Sequence, residues 1–213
     1  MCSTKSDEKT YPELNKREEL FRTHCNCEGT EQLRKKTVVR NEVAIMEVRE
    51  ALQKRRSIRK YTEDAVSKEQ LDELLHAAMS GPSACNRTPW DFYAVTDPEV
   101  LKKLREAAKF SKITARAAIV VCGNLSKALP MQYASYWIQD CSAATENILL
   151  AATELGLGSL WCGVHPQKHA EKRIADILGL TNKQIPLNIV YIGHPAEEPE
   201  PRDQYKEKNV HWI

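Results

Sequence analysis

Residues 131–163 read MQYASYWIQDCSAATENILLAATELGLGSLWCG and set the architecture of the chain. Small or apolar side chains cover most of the helical circumference over 131–155, which predicts a long helix buried on more than one side. Gly156 and Gly158 predict the C-terminal end of this helix, and residues 159–163 read as a strand. A helix of this kind lies at the heart of a domain or across a subunit interface, so we expect other elements to pack around it.

Predicted helices and strands alternate on both sides of this segment. Upstream, Ile45, Val48 and Leu52 recur at helical spacing and predict a first helix with an apolar stripe. Ser67 and Gln70 form a capping box at the start of a second helix. The other predicted elements are strands at 90–96, 117–122 and 187–192, a helix that begins after Asp97-Pro98 and a helix that ends at Gly179. This order predicts an α+β or α/β sheet protein.

Length and charge bound the possible functions. The 213 residues suffice for one domain with a sizeable core. Residues 1–45 are rich in charge and turn formers, so we predict an N-terminal extension that is partly disordered or draped on the body, followed by a folded domain over 46–213. The net charge of +2, from 31 basic and 29 acidic side chains, gives no reason to expect a whole-surface affinity for nucleic acid or membrane.

Targeting signals and cysteine content favour a cytoplasmic protein. No apolar run approaches the roughly 20 residues that span a bilayer, and the polar N-terminus lacks the apolar stretch of a signal peptide. The seven cysteines include several that stand singly among apolar or small residues, which favours reduced thiols in a reducing cytosol. His24-Cys25-Asn26-Cys27 could ligate a metal, but a zinc site requires four ligands and suitable partners are not evident nearby, so we predict no metal.

Residues 54–61 read KRRSIRKY and form the first candidate site. Five cations in seven residues, with a serine hydroxyl at the centre, suit a phosphate bound by forked guanidinium donors. The alternatives are a solvated basic face, a localisation-type patch, or a non-catalytic module that contacts nucleic acid.

Two further segments bring polar and small residues. Residues 81–90 read GPSACNRTPW, in which two prolines stiffen the loop and two short polar side chains offer donors and acceptors; alternatively, this is only a helix-to-strand connection. Residues 155–163 read LGLGSLWCG, whose glycines would let the backbone approach a flat ligand, although a helix cap alone would explain them. The spacing is not the G-x-G-x-x-G dinucleotide signature.

No convincing pair of catalytic carboxylates is evident. Asp140 and Glu146 are six residues apart on the long helix and do not share a face well, so we interpret them as structural. Trp137 and Trp161 are expected in core or interface packing, and Trp161 is the one that could line a cleft.

Four motifs together resemble the nitroreductase family in their order and spacing. Arg-Arg-Ser-x-Arg-x-Tyr at 55–61 is followed by Pro-Ser-x-x-Asn-x-x-Pro-Trp at 82–90. Asp-Cys-x-Ala-Ala-x-Glu-Asn-x-Leu-Leu-Ala-Ala then stands at 140–152, before Leu-Gly-Leu-Gly, and Ile-Gly-His-Pro stands at 192–195. The resemblance extends from Met46 almost to the C-terminus, and residues 1–45 take no part in it.

The resemblance implies an α+β fold with a central mixed or antiparallel sheet flanked by helices, in an intertwined homodimer with one FMN in each of two interfacial clefts. The cofactor-binding residues that it implies are Arg55, Arg56, Ser57, Arg59, Pro82, Ser83, Ala84, Asn86, Leu160, Trp161, Cys162, Gly163 and Arg202.

Each segment has an expected role in this resemblance. Residues 55–59 would hold the phosphate, the ribityl chain and one edge of the ring, and 82–86 would approach the flavin, with the first three residues coming from the partner subunit. Residues 160–163 would lie against the central ring, with the Cys162 amide near N5. Of a basic pair expected near the C-terminus, Arg202 is present and Gln204 replaces the second cation.

The resemblance implies an enzyme that passes hydride from NADH or NADPH through flavin N5 to nitroaromatic, quinone or similar flat acceptors. Because the cofactor carries out the chemistry, no catalytic side chain is expected. A related flavoenzyme with another acceptor, such as a reductive dehalogenase, is the alternative reaction, and a basic nucleic-acid-binding module is the alternative of a different class.

Overall fold

Helices and strands alternate along the chain in the predicted order. The computed structural model describes residues 46–108 and 113–213. The α-helices of these residues are α1 (Val48–Lys54), α2 (Lys68–Met79), α3 (Pro98–Ala107), α4 (Tyr136–Glu154) and α5 (Lys168–Leu178). The strands are β1 (Trp90–Val95), β2 (Ala117–Asn124), β3 (Gly158–Gly163) and β4 (Gln184–Gly193), and 3-10 turns lie at Ala84–Asn86, Met131–Tyr133 and Glu207–Asn209. The predicted extension over 1–45, with His24-Cys25-Asn26-Cys27, lies outside the described residues.

The strands of the described residues form one antiparallel sheet in the order β1-β2-β4-β3. Helices cover both faces of this sheet. The side chains of β2 therefore alternate between two buried clusters, one on each face. Ile119 and Val121 pack in the cluster with α2 and α4, whereas Val120 and Cys122 pack in the cluster with α3 and α5. The predictions of an α+β fold and of a strand covered on both faces are confirmed.

The long helix α4 packs its predicted apolar stripe against the sheet. The buried residues of this stripe are Trp137, Cys141, Ala144, Ile148 and Ala152. The helix begins at Tyr136 rather than at the predicted position 131, because a separate 3-10 turn precedes it. Over 46–108 and 113–213, none of the helices combines the length and the apolar character that crossing a membrane requires.

Helix α4 ends in a left-handed cap at Gly156, whose φ is +69°. The N–H of Leu157 donates to the carbonyl of Ala152 (2.7 Å), and the N–H of Gly156 donates to that of Thr153 (3.1 Å). This is the hydrogen-bond pattern of a Schellman motif, so Gly156 ends the helix as predicted. The prediction for Gly158 is wrong, because Gly158 is the first residue of β3, where an added Cβ would lie 2.8 Å from a neighbouring side chain.

Side-chain caps define two helix starts. The Ser67 hydroxyl accepts from the N–H of Gln70, and the Gln70 side chain accepts from the N–H of Ser67, so the predicted capping box is confirmed. The Asp97 carboxylate accepts from the N–H groups of Glu99 and Val100. These bonds satisfy N–H groups that the first turn of a helix leaves unpaired.

Helix α1 presents apolar residues to solvent in the single chain. Ala51 is buried, whereas Val48 and Leu52 are 71% and 55% exposed. The expected stripe is therefore not part of the core of this chain, and its first member, Ile45, lies outside the described residues. A helix with such a face needs another surface to bury it.

Asp91 joins the end of β1 to neighbouring elements through a polar network. Its carboxylate accepts hydrogen bonds from Asn124 Nδ2, Gln184 Nε2 and Lys127 Nζ, each at 2.7 Å. Burial alone would raise the pKa of Asp91, but the hydrogen bonds from Lys127, Gln184 and Asn124 outweigh burial and lower the pKa below its ordinary value. The network therefore stabilises the charged form.

The stability of the protein should depend on the charge of Asp91. Because its folded pKa is depressed, its contribution is present above the unfolded pKa of about 3.9 and is lost as the pH falls through the folded pKa. We expect Asp91→Asn to lower the free energy of unfolding by about 1–2 kcal/mol at neutral pH. Urea unfolding of both proteins across this acidic range should show the difference shrinking, and a difference that is independent of pH would contradict the account.

Candidate functional site

The basic segment, residues 55–61, leaves α1 and runs along the outer edge of β3. The N–H of Ile58 donates to the carbonyl of Ser159 (2.9 Å), and Ser57 forms a parallel bridge with Ser159. Among the strands of the described residues, β3 pairs only with β4, so its other edge is available to this segment. The structure thus brings together two stretches that were predicted separately, the phosphate-binding one and the strand expected to face a flat ring.

The arginines of the basic segment point in different directions. Arg55 Nε lies 3.7 Å from Glu146 Oε1 on α4. The guanidinium of Arg56 instead donates to the backbone carbonyl of Glu200 in the C-terminal tail. Ile58, which lies two residues after Arg56 in the chain, belongs to the cluster with α3 and α5. The prediction grouped Arg55 and Arg56 in one cofactor-binding set, but the structure separates them.

A cleft of about 760 Å³ lies on the side of Arg56. Its lining residues are Lys54, Arg56, Ile58, Thr153, Gly156, Leu157, Gly158, Pro195, Ala196, Glu197, Glu198, Pro199, Glu200 and Pro201. Two cationic and three anionic side chains therefore line this cleft. A phosphate would be repelled by this excess of carboxylates, so the cleft does not suit the anionic end of a nucleotide.

The guanidinium of Arg59 lacks an acidic partner in the described residues. Its Nη1 donates to the carbonyl of Ser57 at 3.3 Å, and within 46–108 and 113–213 no carboxylate lies within salt-bridge distance of it. Arg55 approaches its own acidic neighbour, Glu146, only at 3.7 Å, and the carboxylate is about half exposed. These two cations, with the hydroxyl of Ser57 between them in the sequence, fit a doubly charged phosphate.

The C-terminal tail holds the backbone of the basic segment. Glu197 Oε1 accepts from the N–H of Arg59 (2.6 Å) and the N–H of Lys60 (3.1 Å). Beside this contact, the N–H of Ala196 donates to the carbonyl of Lys60 and the N–H of Thr62 to that of His194, both at 2.9 Å. The sequence analysis missed Glu197, because an acidic residue in a proline-rich tail carries no spacing signal toward a segment so far upstream.

The hydrogen-bond pattern of β3 determines which of its amides face outward. The N–H of Val164 donates to the carbonyl of Leu187, and these two residues continue the register of β3 and β4. Because the N–H groups that face a partner strand alternate along a strand, the N–H groups of Leu160 and Cys162 also point toward β4. The amide of Cys162 therefore points into the sheet, and the expected contact of this amide with flavin N5 is not available. The N–H groups of Trp161 and Gly163 point outward instead, and neither has a hydrogen-bond acceptor within the described residues.

The side chains of β3 divide in the same alternating way. Leu160 and Cys162 are buried in the cluster with α3 and α5. Trp161 is 37% exposed on the other face. A Cβ added to Gly163 would meet nothing within 4 Å, so packing within this chain does not require a glycine there. Of the predicted β3 residues, Trp161 and Gly163 are the ones placed to contact a ligand.

The loop at 82–88 is held in a strained conformation against α4. Cys85, Asn86 and Thr88 have positive φ values of 50°, 52° and 44°. The Ser83 hydroxyl accepts from the N–H of Thr88, and Asp140 Oδ1 accepts from the N–H of Ala84, both at 2.9 Å. Asp140 is therefore structural, as predicted. Non-glycine residues with positive φ persist where the surroundings fix them, which is typical of binding loops.

This loop does not join the basic segment within one chain. It bonds to Asp140 on α4, whereas Arg55 lies near Glu146, six residues further along the helix. Six residues correspond to about 9 Å along the axis and to a different face. The predicted contacts of Pro82, Ser83, Ala84 and Asn86 with the same ligand thus remain predictions. Arg202 is exposed and, in the described part of the chain, makes no hydrogen bond or ion pair.

The thiols of the described residues should differ sharply in reactivity. Cys85 is exposed, whereas Cys122, Cys141 and Cys162 are buried. Burial raises the pKa of Cys141 and of Cys162 to about 12, and it raises the pKa of Cys122 as well. We therefore expect an alkylating reagent to modify Cys85 in the native protein and the other three only after unfolding, as measured by peptide mass spectrometry. Rapid native labelling of Cys162 would contradict its placement.

Known proteins share both the sequence pattern and the fold. The family model described as "Nitroreductase family" matches residues 52–121 and 111–194. A protein of Methanothermobacter thermautotrophicus, described as an NADH dehydrogenase/NAD(P)H nitroreductase, is 40% identical over 172 residues, which make up 79% of this chain and 88% of the relative.

Solved structures agree with this match. A Parabacteroides distasonis protein with the same description superposes with a TM-score of 0.71 at 36% identity, covering 78% of this chain and 96% of the other. An FMN-dependent nitroreductase of Clostridium difficile superposes with a TM-score of 0.70 at 35% identity, covering 76% of this chain and 96% of the other. Since the family match extends over most of the folded domain and the relatives align over nearly their whole length, the chain belongs to the nitroreductase family of oxidoreductases.

Proposed function

We propose that this chain is an FMN-dependent oxidoreductase that passes hydride from NADH or NADPH to nitroaromatic, quinone or similar flat acceptors. One observation carries the proposal: a cationic segment runs beside an edge strand whose Trp161 and Gly163 amides point outward and meet no acceptor among the described residues. FMN combines a doubly anionic phosphate with a flat ring that accepts hydrogen bonds along its edge. The two halves of the site match the two ends of this cofactor.

The basic segment binds the phosphate end. The guanidinium groups of Arg55 and Arg59 supply charge-assisted hydrogen bonds, which are about twice as strong as neutral ones. The Ser57 hydroxyl adds a neutral donor. Arg56 contributes through its long-range charge, because its guanidinium is directed to the tail carbonyl of Glu200.

The free edge of β3 binds the ring. The outward N–H groups of Trp161 and Gly163 act as fixed donors, and the missing side chain of Gly163 lets the ring approach the backbone. Donors fixed in this way place positive potential where reduction adds negative charge, at no cost of reorganisation. When bound, FMN supplies the hydride-transfer chemistry through its central ring. The chain therefore needs to position the ring and exclude water, and no side-chain acid or base is required.

The functional unit is a homodimer. Val48 and Leu52 of α1 are largely exposed in the single chain and need a second surface. The strained loop with Pro82, Ser83 and Ala84 does not reach the basic segment of its own chain, and in a dimer it meets the flavin bound by the partner. The two observations point to a site completed between subunits.

The proposal is tested by purification of the full chain and its visible absorbance spectrum. The protein should be yellow, and anaerobic addition of NADH or NADPH should bleach the flavin absorbance. Re-oxidation by nitroaromatic, quinone and iodo-aromatic compounds then ranks the acceptors, and a preference for the iodo-aromatic would favour a reductive dehalogenase. A colourless protein that takes up no added FMN would rule out the proposal.

A further inference from the structure

The backbone at Arg59 turns in a way that an extended strand does not. In an extended segment successive N–H groups point to opposite sides. Here the N–H groups of Arg59 and Lys60 both reach one oxygen, Glu197 Oε1, at 2.6 and 3.1 Å. Successive N–H groups that converge on one anion form a concave nest, and the anion holds the turn in place. The direction in which the Arg59 side chain leaves the backbone is set by this turn.

The position of Glu197 is itself determined by strand-like pairing. The neighbouring Ala196 donates to the carbonyl of Lys60, Pro195 pairs with Tyr61 in an antiparallel bridge, and His194 accepts from Thr62. This register places the Glu197 carboxylate opposite the turn. The contact is therefore part of a paired backbone structure and not a chance meeting of two flexible side chains.

Glu197 orders the cationic segment without neutralising its side chains. The hydrogen bond from the N–H of Arg59 lowers the pKa of Glu197, so the carboxylate is ionised at neutral pH. Its oxygen is nevertheless bonded to backbone amides, and the guanidinium of Arg59, which donates one N–H to the carbonyl of Ser57, keeps its other donors for another anion. A carboxylate paired with that guanidinium would compete with a phosphate, whereas one bonded to the backbone does not.

From this geometry we infer that Glu197 is a positioning residue, which holds the Arg59–Lys60 turn so that the Arg59 guanidinium meets the phosphate of the cofactor. The inference rests on the proposed function. Glu197 touches neither the phosphate nor the ring, and it acts through Arg59 alone. Its effect comes from accepting two amide hydrogens and not from its charge.

Three variants separate the acceptor from the charge. Glu197→Ala removes both, Glu197→Gln removes the charge but keeps an oxygen that accepts from the two amides, and Glu198→Ala removes a neighbouring charge that makes no such contact. We expect Glu197→Ala to weaken FMN binding about tenfold, as for the loss of one charge-assisted contact. The other two should bind at least as tightly as the wild type, because each removes a negative charge that repels the anionic cofactor at long range and leaves an acceptor for the two amides in place. Affinity is measured by the quenching of FMN fluorescence.

Hydrogen exchange on the FMN-free protein gives an independent readout. The amides of Arg59 and Lys60 should exchange faster in Glu197→Ala than in the wild type or in Glu197→Gln. Equal FMN affinity of Glu197→Ala and wild type would overturn the inference, and so would equal weakening by Glu197→Gln. If Glu197→Ala is too unstable to assay, Glu197→Asp, whose carboxylate is withdrawn by one methylene, should show the same loss.

Failure of the inference differs visibly from failure of the proposed function. If the wild type binds FMN and the Glu197 series shows no pattern, only the role of Glu197 is lost. If the wild type binds no FMN, the proposed function fails and the role of Glu197 toward the phosphate falls with it, even where the exchange data still show the backbone contact.

Discussion

The double variant Arg55→Ala/Arg59→Ala should leave the purification column colourless and should bind added FMN about 100- to 10,000-fold more weakly than the wild type. Each lost charge-assisted phosphate contact costs roughly 1.5–3 kcal/mol, or about tenfold to a hundredfold in affinity. The two losses add if the arginines act independently. Titration of FMN fluorescence measures the affinity directly.

Riboflavin and Arg56 provide the controls for this variant. Riboflavin has the ring but no phosphate, so the double variant should lose far less affinity for riboflavin than for FMN. Arg56→Ala removes the same charge from the adjacent position, but its guanidinium is bonded to the carbonyl of Glu200. We expect its effect on FMN affinity to be much smaller. If Arg56→Ala is as damaging as Arg55→Ala, the division of the basic segment described above is wrong.

Gly123→Ala should destabilise the protein more than any other single-methyl addition to a glycine of the sheet. A Cβ at this position of β2 would lie 2.1 Å from Cε3 of the buried Trp137 ring, well inside van der Waals contact. Overpacking of a core costs about 1–3 kcal/mol and occasionally more, and here the atoms that the methyl group would meet belong to a large ring that is only 4% exposed. We expect a loss of about 3 kcal/mol or more, which is a large part of a typical domain stability. Urea unfolding followed by circular dichroism measures it.

Gly163→Ala is the matched control, because an added Cβ there meets nothing within 4 Å. Its free energy of unfolding should stay within about 0.5 kcal/mol of the wild type. A second test combines Gly123→Ala with Trp137→Leu, which removes the ring that the new methyl group would strike. The two changes should then be strongly non-additive. Additive losses would show that the damage at Gly123 comes from the backbone and not from the ring.

The local structure of this chain can be predicted well where neighbouring residues determine it. The capping box of Ser67 and Gln70 and the left-handed cap at Gly156 follow from residue types a few positions apart, and both are confirmed. Helical spacing also predicted an apolar face on α1, but spacing does not tell what covers that face. The structure shows that Val48 and Leu52, which belong to this face, are exposed in the single chain.

The candidate site depends on long-range geometry that the sequence does not carry. The motif at 55–59 identifies the cations, but which of them share a side depends on where the extended segment meets β3. The Cys162 amide was expected to face the ring, yet its direction depends on the pairing phase between β3 and β4, which the hydrogen bond from Val164 to Leu187 reveals and the sequence does not. The role of Glu197 could not be predicted, because its contact with Arg59 joins residues that are 138 positions apart in the sequence.

The long separation in sequence between the basic segment and the C-terminal tail affects when the proposed phosphate site can form during protein synthesis. Residues 60–62 are synthesised well before residues 194–196, the backbone partners that hold them. Since domains generally fold as units, a nascent polypeptide cannot fix the proposed phosphate-binding turn before residues 194–197 have been synthesised. A truncated product that stops before residue 194 lacks these partners, and we expect it to bind FMN more weakly than the full chain.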